Sequence, residues 1–354
     1  MNAYLVLESG ETYQGQWHGG EERAGEVVFN TSHSGYEEIA TDPSYLSQIV
    51  VMTAPMQGNY GVENEVWESR RMWIEGFICL EVQDTERDQA WKKRLLENKI
   101  PLLTEIDTRQ LTLRLRQGGT PWGALVQANS EAEAQKKAQA LIAPKKSMDK
   151  DWVYMASRKD SEVRKGQNMV GPRIAVLDFG SKENILRELQ SRCSEIKIFN
   201  SRASVGEIMS YNPDGIMLTN GPGDPADVQV AIGTVRELLG QKPIFGICMG
   251  HQVLALALGA KTYKLRFGHR GSNHPIDDRL LNQIYVTSQN HGYGVEAQSL
   301  PADVKITHIN LNDGTVAGFY SEKRKCLGIQ YHPESCPGPH EAQGLFSYFI
   351  ERMI

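Results

Sequence analysis

One cysteine in this sequence of 354 residues stands in a context that is typical of a reactive nucleophile. Residues 246–250 read Gly-Ile-Cys-Met-Gly and place Cys248 between an apolar run that predicts a strand and another that predicts a helix. This pattern is typical of a nucleophile elbow, a tight turn that lifts a side chain clear of the backbone. A thiol there lies at a helix N-terminus, which favours the thiolate, and the N–H of Met249 points to where an oxyanion would form. The alternative interpretation is a buried structural cysteine between two packing glycines.

A nucleophilic cysteine needs a base and a group that orients the base, and both types occur late in the chain. Residues 327–331 predict a strand, which His332, Pro333 and Glu334 follow. The proline fixes the turn, so both ionisable side chains can project from one strand end. Glu334 can then hold the imidazole tautomer of His332 and stabilise the imidazolium, as a carboxylate does in serine triads. His-Pro-Glu by itself could be a surface pair, but together with the elbow it predicts a Cys248–His332–Glu334 triad.

A third segment, residues 220–225, reads Asn-Gly-Pro-Gly-Asp-Pro. Gly221 and Gly223 lack side chains, so their backbone N–H groups can approach a ligand closely. No Gly-Lys-Ser/Thr sequence follows, which excludes a phosphate loop of the P-loop type. An ordinary Gly-Pro turn is the alternative, and the other two motifs favour a binding loop.

The elements around these motifs predict an α/β domain with a doubly wound, mostly parallel sheet. Nearly continuous apolar runs predict strands buried on both faces, and helical segments alternate with them. The predicted strands cover residues 173–179, 195–200, 214–219 and 243–247, and the predicted helices cover 181–191, 204–210, 228–239 and 253–258. Because ligands of such sheets bind at the carboxyl ends of the strands, we expect chemistry in the loops after Thr219 and Ile247.

The first part of the chain has a different pattern and predicts a separate, mixed β/α domain. Its short β-type runs lie at 3–7, 26–30 and 49–53, and its predicted helices lie at 91–99, 107–117 and 130–142. Residues 144–172 are polar, rich in Lys and Arg and without periodicity, which favours a solvated connector. We therefore expect an N-terminal domain at 1–143, a linker at 144–172 and the α/β domain at 173–354. All six tryptophans lie within the first 152 residues, so their fluorescence is expected to report the N-terminal domain alone.

Composition excludes several classes of protein. The chain has 38 Lys and Arg against 43 Asp and Glu, a formal net charge of -5, which gives no electrostatic footprint for nucleic acid or an anionic membrane. Its N-terminus lacks the pattern of a signal peptide, and its longest apolar stretch, near residues 253–260, is far shorter than the roughly 20 residues of a spanning helix. Five cysteines without a Cys-x-x-Cys pair favour neither disulfides nor a zinc finger. We expect a reduced, cytoplasmic protein.

The three motifs, in this order and context, resemble the class I glutamine amidotransferases over residues 173–354. Further segments resemble one family within that class, the small, glutamine-hydrolysing subunits of carbamoyl phosphate synthetase, essentially from end to end. In the N-terminal half these segments are 25–32, 35–45, 48–50 and 58–61, and in the C-terminal half they are 267–275, 288–294 and 337–340. The departures are small. Residues 53–58 lack a tyrosine and a Pro-Ile pair that the family often has, and Met249 and Tyr293 stand where leucine and phenylalanine are common.

The resemblance implies an enzyme that hydrolyses L-glutamine through a glutamyl thioester on Cys248, with His332 as the base and Glu334 as its orienting group. It also implies the residues that hold glutamine, which are Ser44, Gly221, Gly223, Met249, Gln252, Asn290, Gly292 and Tyr293. Ammonia is expected to pass through an internal tunnel to a separate large subunit, which uses ATP and Mg to make carbamoyl phosphate from bicarbonate. No cofactor or metal is expected in this chain itself. The product is expected to serve pyrimidine biosynthesis, arginine biosynthesis or both, and higher-order assembly of the heterodimers stays open.

Three alternatives stay open at this point. The chain could be the amidotransferase subunit of another synthetase, although its N-terminal motifs favour the first interpretation. It could be a free-standing cysteine hydrolase acting on γ-glutamyl compounds, which would need no partner. It could also be a non-catalytic subunit that keeps the fold, which the intact Cys-His-Glu set disfavours.

Four histidines raise the separate question of a metal site. They are His251, His269, His274 and His291. Their spacing fits no standard metal site, so a structural or interface role is expected for them.

Overall fold

The chain folds into two compact units, Met1–Asp149 and Lys150–Ile354, in a computed structural model that describes residues 2–86, 89–148 and 150–354. The boundary between the units falls inside the segment 144–172 that the sequence predicts as a linker. The described part of neither unit contains a helix that is both long and apolar enough to cross a membrane.

The first unit is built around a closed barrel of mixed parallel and antiparallel strands. Its strands are β1 (Asn2–Leu7), β2 (Thr12–Gly19), β3 (Arg23–Asn30), β4 (Gln48–Met52), β5 (Met56–Gln57), β6 (Gly76–Ile78), β7 (Glu81–Val82), β8 (Leu102–Thr104) and β9 (Trp122–Ala128). Its helices are α1 (Tyr36–Thr41), α2 (Ala90–Glu97), α3 (Thr108–Gly118) and α4 (Glu131–Ser147), with short 3-10 turns at Pro43–Tyr45 and Asn64–Val66. The barrel order is β1-β2-β8-β6-β4-β3-β9, and β5 pairs with β7 separately. The three strands predicted for this part of the chain all belong to the barrel.

The last helix of the first unit continues past the point where the sequence predicts its end. α4 runs through Pro144 to Ser147 instead of ending near residue 142. Proline disrupts a helix by removing one backbone hydrogen bond and by steric conflict with the preceding turn. Pro144 lies three residues before the end of α4, so only the last turn is affected, and in that turn Lys146 pairs with Glu8 at 2.6 Å.

The second unit consists of one large sheet with helices against it. Its strands are β10 (Glu162–Lys165), β11 (Arg173–Asp178), β12 (Glu195–Asn200), β13 (Gly215–Leu218), β14 (Ile244–Ile247), β15 (Thr262–Asp278), β16 (Gln283–Val295), β17 (Lys305–Asn310), β18 (Val316–Ser321) and β19 (Cys326–Ile329). Its helices are α5 (Trp152–Ala156), α6 (Glu183–Arg192), α7 (Val205–Ser210), α8 (Gln229–Leu238), α9 (Met249–Ala257) and α10 (Gly344–Tyr348). Shorter turns lie at Pro225–Asp227, Ala297–Ser299, Glu341–Gln343 and Phe349–Met353.

The sheet has a parallel centre. Its order is β10-β12-β11-β13-β14-β19-β18-β17-β15-β16, and neighbouring strands from β12 to β19 are parallel. Helices α6 and α10 cover one face, and α7, α8 and α9 cover the other. The α/β class with a doubly wound parallel sheet is therefore confirmed, as is the separate mixed domain before it.

The sheet also has an antiparallel half that the sequence analysis missed. β18, β17, β15 and β16 follow β19 and pair with their neighbours in antiparallel orientation. β15 is largely polar and only partly buried over its 17 residues. The apolar runs that predict buried strands are therefore absent from it.

Much of the predicted linker is folded. β10 pairs with β12, and Trp152 begins α5 in the second unit, so tryptophan fluorescence reports both units and not the first alone. Ion pairs attach this segment to the sheet, with Arg158 Nη1 3.1 Å from Asp178 Oδ2 and Lys165 Nζ 2.6 Å from Glu195 Oε2. Only a few apolar side chains of the segment are buried, such as Val153 and Ala156, so hydrophobic periodicity did not indicate its structure.

Candidate active site

A sharp turn at the carboxyl end of β14 positions Cys248. β14 ends at Ile247, α9 begins at Met249, and Cys248 between them has φ 54° and ψ −103°. Few residues other than glycine adopt a positive φ, and such strain clusters at functional sites. The N–H of Cys248 donates to the Ile329 carbonyl at 2.8 Å, which ties the turn to β19. The strand–turn–helix context predicted for the elbow is therefore present.

Two glycines allow the turn to be this tight. A Cβ at Gly246 would lie 2.6 Å from the Gly250 carbonyl oxygen, and a Cβ at Gly250 would lie 2.2 Å from the Leu218 carbonyl oxygen. Both distances are far below van der Waals contact, and both obstructing atoms belong to the backbone. A larger residue at either position would push α9 away from the sheet and displace Cys248.

His332 and Glu334 form a buried pair shortly after β19. His332 Nδ1 lies 2.6 Å from Glu334 Oε1, and both side chains are almost fully removed from solvent. Burial by itself lowers the pKa of His332, but the Glu334 carboxylate and the neighbouring Cys248 thiol raise it to about 10. His332 Nε2, the atom that would exchange a proton with the thiol, is buried and has no partner at hydrogen-bond geometry among the described residues.

A buried lysine stands beside this pair, and the sequence analysis missed it. Lys182 Nζ lies 3.1 Å from Glu334 Oε1 and also donates to the Ser335 carbonyl, with only 3% of its side chain exposed. Burial by itself raises the pKa of Glu334, but Lys182 and His332 lower it to about 2, so the group is a carboxylate. Lys182 is the N-cap of α6, just after β11. A lysine that closely follows a strand predicted to be buried on both faces is the sequence signal that could have indicated Lys182.

β16 contacts both the proposed nucleophile and the proposed base. The N–H of His332 donates to the Ser288 carbonyl at 2.9 Å, and the Cys248 thiol donates to the Asn290 carbonyl over 3.5 Å. Ser288 and Asn290 are two residues apart on one strand, which is one full repeat of its pleat. The structure thus brings Cys248, His332 and Glu334 together, while their catalytic roles stay predictions.

The first turn of α9 supplies a backbone donor next to the thiol. The N–H of Gly250 donates to the Thr219 carbonyl at 3.0 Å, and the N–H of Gln252 donates to the Cys248 carbonyl at 3.1 Å. The N–H of Met249 has no such partner within the described residues, as expected for the first residue of a helix. It is therefore available to a ligand oxygen.

The loop after β13 carries the two glycines that the sequence assigns to ligand binding. A Cβ at Gly221 would lie 2.2 Å from the Phe179 carbonyl oxygen, so only glycine fits there. Gly223 has φ 91°, a conformation that residues with a side chain rarely adopt. Asn220 Oδ1 in the same loop accepts from the N–H of Lys182 at 2.9 Å, which ties the loop to the start of α6.

The other predicted glutamine-binding residues of the second unit lie near Gln252. Gln252 Nε2 donates to the Tyr293 carbonyl at 2.9 Å and to Gln330 Oε1 at 3.1 Å. Both amide hydrogens are thereby used, so the oxygen of Gln252 is the atom left to accept from a ligand. Asn290 and Gly292 lie on β16 beside Tyr293. Gln330, two residues before the proposed base, was not predicted from the sequence.

Ser44 lies in the first unit, within the 3-10 turn Pro43–Tyr45. Its N–H donates to Asp42 Oδ1 at 2.9 Å, and the residue is buried. A contact between Ser44 and the substrate stays a prediction.

Three of the four histidines pack against one another beside the antiparallel half of the sheet. The ring centroid of His269 lies 5.2 Å from that of His274 and 4.9 Å from that of His291. Burial lowers the pKa of His274 to about 4 and that of His291 well below its usual range. His251 is instead buried against an aromatic ring of β18. Within the part of the chain that the structure describes, no group of three or more His, Cys, Asp or Glu side chains could hold a metal ion.

Comparison with known proteins gives two results. Residues 5–125 match the family model for the carbamoyl-phosphate synthase small chain, CPSase domain, and residues 175–352 match the model for glutamine amidotransferase class-I. A carbamoyl phosphate synthase small chain from Symbiobacterium thermophilum is 45% identical, over 97% of this chain and 96% of the relative. Proteins of the same name from Bacillus caldolyticus and Clostridium perfringens are 43% and 42% identical, each over 99% of this chain and over 96% and 99% of their own lengths.

Proposed function

The chain belongs to the carbamoyl phosphate synthase small chain family, and we propose that it hydrolyses L-glutamine and passes the ammonia to a separate large subunit. That subunit would combine the ammonia with bicarbonate and ATP to make carbamoyl phosphate. The observation that carries the proposal is the strained turn at Cys248 with the buried His332–Glu334 pair beside it, inside the segment that matches glutamine amidotransferases. A thiol next to an imidazole that a carboxylate orients is what amide hydrolysis through a thioester needs.

The first half of the proposed reaction forms the thioester. The Cys248 thiolate attacks the side-chain amide carbon of glutamine, a C–S bond forms and the carbonyl oxygen takes the negative charge. The N–H groups of Met249 and of the Gly221 region donate to this oxyanion, an effect of about 3 kcal/mol per donor. His332 gives its proton to the amide nitrogen, the C–N bond breaks, and ammonia leaves a glutamyl thioester on Cys248.

The second half of the proposed reaction releases glutamate. A water molecule gives a proton to His332 Nε2 and attacks the thioester carbon, the C–S bond breaks, and the thiolate of Cys248 returns. Glu334 keeps the ring in the tautomer and orientation that both halves need, because it accepts from Nδ1 at 2.6 Å. Lys182 in turn keeps Glu334 ionised, since it lowers the pKa of that buried carboxyl group.

The substrate contacts in this proposal come mostly from the second unit. The glycines of the loop after β13 offer backbone N–H groups, and Gln252 offers its amide oxygen. The full set of glutamine-binding residues is Gly221, Gly223, Met249, Gln252, Asn290, Gly292 and Tyr293, with Ser44 added from the first unit. All of these assignments are carried over from the family motif.

The large subunit is the partner that the proposal requires. Hydrolysis of glutamine uses groups of this chain alone, so we assign ATP and Mg to the large subunit and no cofactor to this chain. We propose a cytoplasmic heterodimer whose product enters pyrimidine biosynthesis, arginine biosynthesis or both. The names of the relatives support the partnership, because each is called the small chain of the synthase.

The proposal is tested by Cys248→Ser in a complex with the large subunit. Glutamine-dependent formation of carbamoyl phosphate should be lost, while ammonia-dependent formation should stay at the wild-type rate, because only the hydrolysis is removed. Cys193→Ser is the matched control, since Cys193 is another buried cysteine of the second unit and ends α6 away from the turn. It should keep both activities. Carbamoyl phosphate formed from glutamine by Cys248→Ser would show that the nucleophile is assigned wrongly.

Glutaminase rates with and without the large subunit separate the proposal from a free-standing γ-glutamyl hydrolase. A synthase subunit should hydrolyse glutamine faster in the complex, where ammonia is consumed. A high rate that the large subunit leaves unchanged would favour the free-standing hydrolase.

A further inference from the structure

We propose that a buried network of four polar side chains holds the base of the proposed reaction in place. This tyrosine network consists of Tyr285, Tyr331, Asp278 and His308. The inference rests on the proposed function, since it concerns where His332 lies relative to the thiol that it serves. The four side chains act through His332 and are positioning residues.

The tyrosine network is continuous and closed to solvent. The hydroxyl oxygens of Tyr285 and Tyr331 are 2.8 Å apart, and the Tyr285 hydroxyl lies 2.6 Å from Asp278 Oδ2. His308 Nε2 lies 2.9 Å from the other carboxylate oxygen, Oδ1. Exposure is 0% for Tyr331, Asp278 and His308 and 7% for Tyr285. Hydrogen bonds at this depth have no competition from bulk water.

The carboxylate sets the direction of every hydrogen bond. Burial by itself raises the pKa of Asp278, but the adjacent His308 and a hydrogen bond from Tyr285 lower it below the ordinary value, so the group only accepts. The backbone N–H groups of Leu280 and Leu281 also donate to its Oδ1, at 2.8 and 2.9 Å. Because the Tyr285 hydroxyl donates to Asp278, it must accept from Tyr331. Tyr331 is therefore a donor whose direction is fixed.

The tyrosine network meets the site through the residue that precedes His332. β19 ends at Ile329, and its last backbone contact with β18 runs from the N–H of Gln330 to the Ala317 carbonyl at 2.9 Å, just before Tyr331. Beyond that point two contacts with β16 hold the chain: the N–H of His332 donates to the Ser288 carbonyl, and the Tyr331 hydroxyl donates to Tyr285. Since β16 also accepts from the Cys248 thiol, the two contacts fix the base relative to the nucleophile.

Phenylalanine would fill nearly the same volume at both tyrosine positions. Packing against the core therefore needs only the two aromatic rings. The hydroxyl groups form the hydrogen bond that fixes the orientation of the strand end. Loss of either hydroxyl leaves the backbone of His332 with its contact to Ser288, while the ring still donates to Glu334. The strand end that carries His332 can then shift, which moves the imidazole relative to the thiol without any change in the residues that bind glutamine.

A double-mutant cycle tests the tyrosine network. Tyr285→Phe, Tyr331→Phe and the double variant are assayed for glutaminase activity in the complex with the large subunit. Each single change should lower kcat on the order of fivefold, the effect of one hydrogen bond, with KM for glutamine unchanged. Because one hydrogen bond joins the two hydroxyls, the double variant should be no slower than the slower single variant.

Alkylation gives a readout that a purely structural role would not change. The rate at which iodoacetamide modifies Cys248 is measured against pH without glutamine. A displaced imidazolium stabilises the thiolate less, so the reactive form should appear at higher pH in all three variants. Tyr320→Phe is the control, since Tyr320 is a tyrosine of β18 whose ring packs edge-on against Tyr348, and it should leave kcat and the alkylation profile unchanged.

Each outcome of this experiment decides a distinct question. Unchanged kcat and an unchanged alkylation profile, with only the melting temperature lowered, would overturn the inference. Multiplied losses in the double variant would overturn it too, because the hydroxyls would then act separately. A wild-type complex without glutaminase activity would overturn the proposed function instead, and the alkylation profiles would still test the tyrosine network.

Discussion

Lys182→Met removes a buried positive charge from the side of Glu334. The two charged atoms lie 3.1 Å apart, and the side chains are 3% and 0% exposed. Methionine keeps most of the volume of the lysine stem, so the change is chiefly electrostatic. Glu334 would then rely on His332 to compensate its charge inside the core.

The expected loss is large because the charge that remains is buried. Removing one member of a buried ion pair costs about 3–5 kcal/mol of the free energy of unfolding. For a unit of this size, that lowers the melting temperature by on the order of 10 °C. The pKa of Glu334 also rises, since Lys182 lowers it in the wild type. The carboxylate stabilises the fold above its unfolded pKa and loses that effect as pH falls through its folded pKa, so acid unfolding should begin at higher pH.

Urea unfolding of the full chain, followed by circular dichroism at pH 7 and pH 4, measures both effects. Lys165→Met is the matched control, because Lys165 Nζ lies 2.6 Å from Glu195 Oε2 in the same unit but its side chain is 80% exposed. An exposed pair contributes at most about 1 kcal/mol, so this variant should unfold almost as the wild type does.

Equal losses in the two lysine variants would refute the reasoning. The exposed pair is the shorter of the two, so distance alone predicts that it matters more. A larger loss for Lys182→Met shows that burial decides the outcome. Its glutaminase activity should fall as well, because Lys182 also holds the Glu334 carboxylate in place beside His332.

Two further predictions concern the pair and the turn. The pKa of His332 is raised to about 10, so the charged imidazolium stabilises the fold fully below about pH 6.5, the usual pKa of histidine, and this stabilisation should be lost as pH rises through about 10. Urea unfolding at pH 6.5 and pH 10 measures the loss. Equal free energies of unfolding at the two pH values would contradict the prediction. Gly250→Ala should abolish glutaminase activity and lower stability, because its Cβ would lie 2.2 Å from a backbone oxygen. Gly233→Ala in α8 meets no atom within 4 Å and should be neutral or stabilising, so equal effects of the two changes on the melting temperature would contradict the steric argument.

The parts of the site that could be predicted from the sequence are those with a local signature. The Gly-Ile-Cys-Met-Gly turn follows an apolar strand and precedes an apolar helix, and both are present with the cysteine between them. The spacing of His332 and Glu334 across one proline likewise indicates a pair, and the two are 2.6 Å apart. In each case a few neighbouring residues contain all the information.

The parts that could not be predicted depend on residues far apart in the chain. Lys182 and Glu334 are separated by about 150 positions and meet only because β11 and β19 end at the same edge of the sheet. Tyr285 and Tyr331 are 46 positions apart and meet across the antiparallel half of the sheet, whose polar strands carry little periodicity. Long-range pairs of this kind need the register of the strands, which local patterns do not supply.

The contacts of β16 give the site a tolerance to motion. Because Cys248 and His332 both donate to carbonyls of this strand, a displacement of β16 as a rigid body carries the thiol and the imidazole along together. Their separation then depends on the two peptide units between Ser288 and Asn290 and on the bond from the Cys248 N–H to the Ile329 carbonyl. A bend or a substitution at Gln289 acts directly on that short span, whereas shifts elsewhere in the sheet cancel between the two groups.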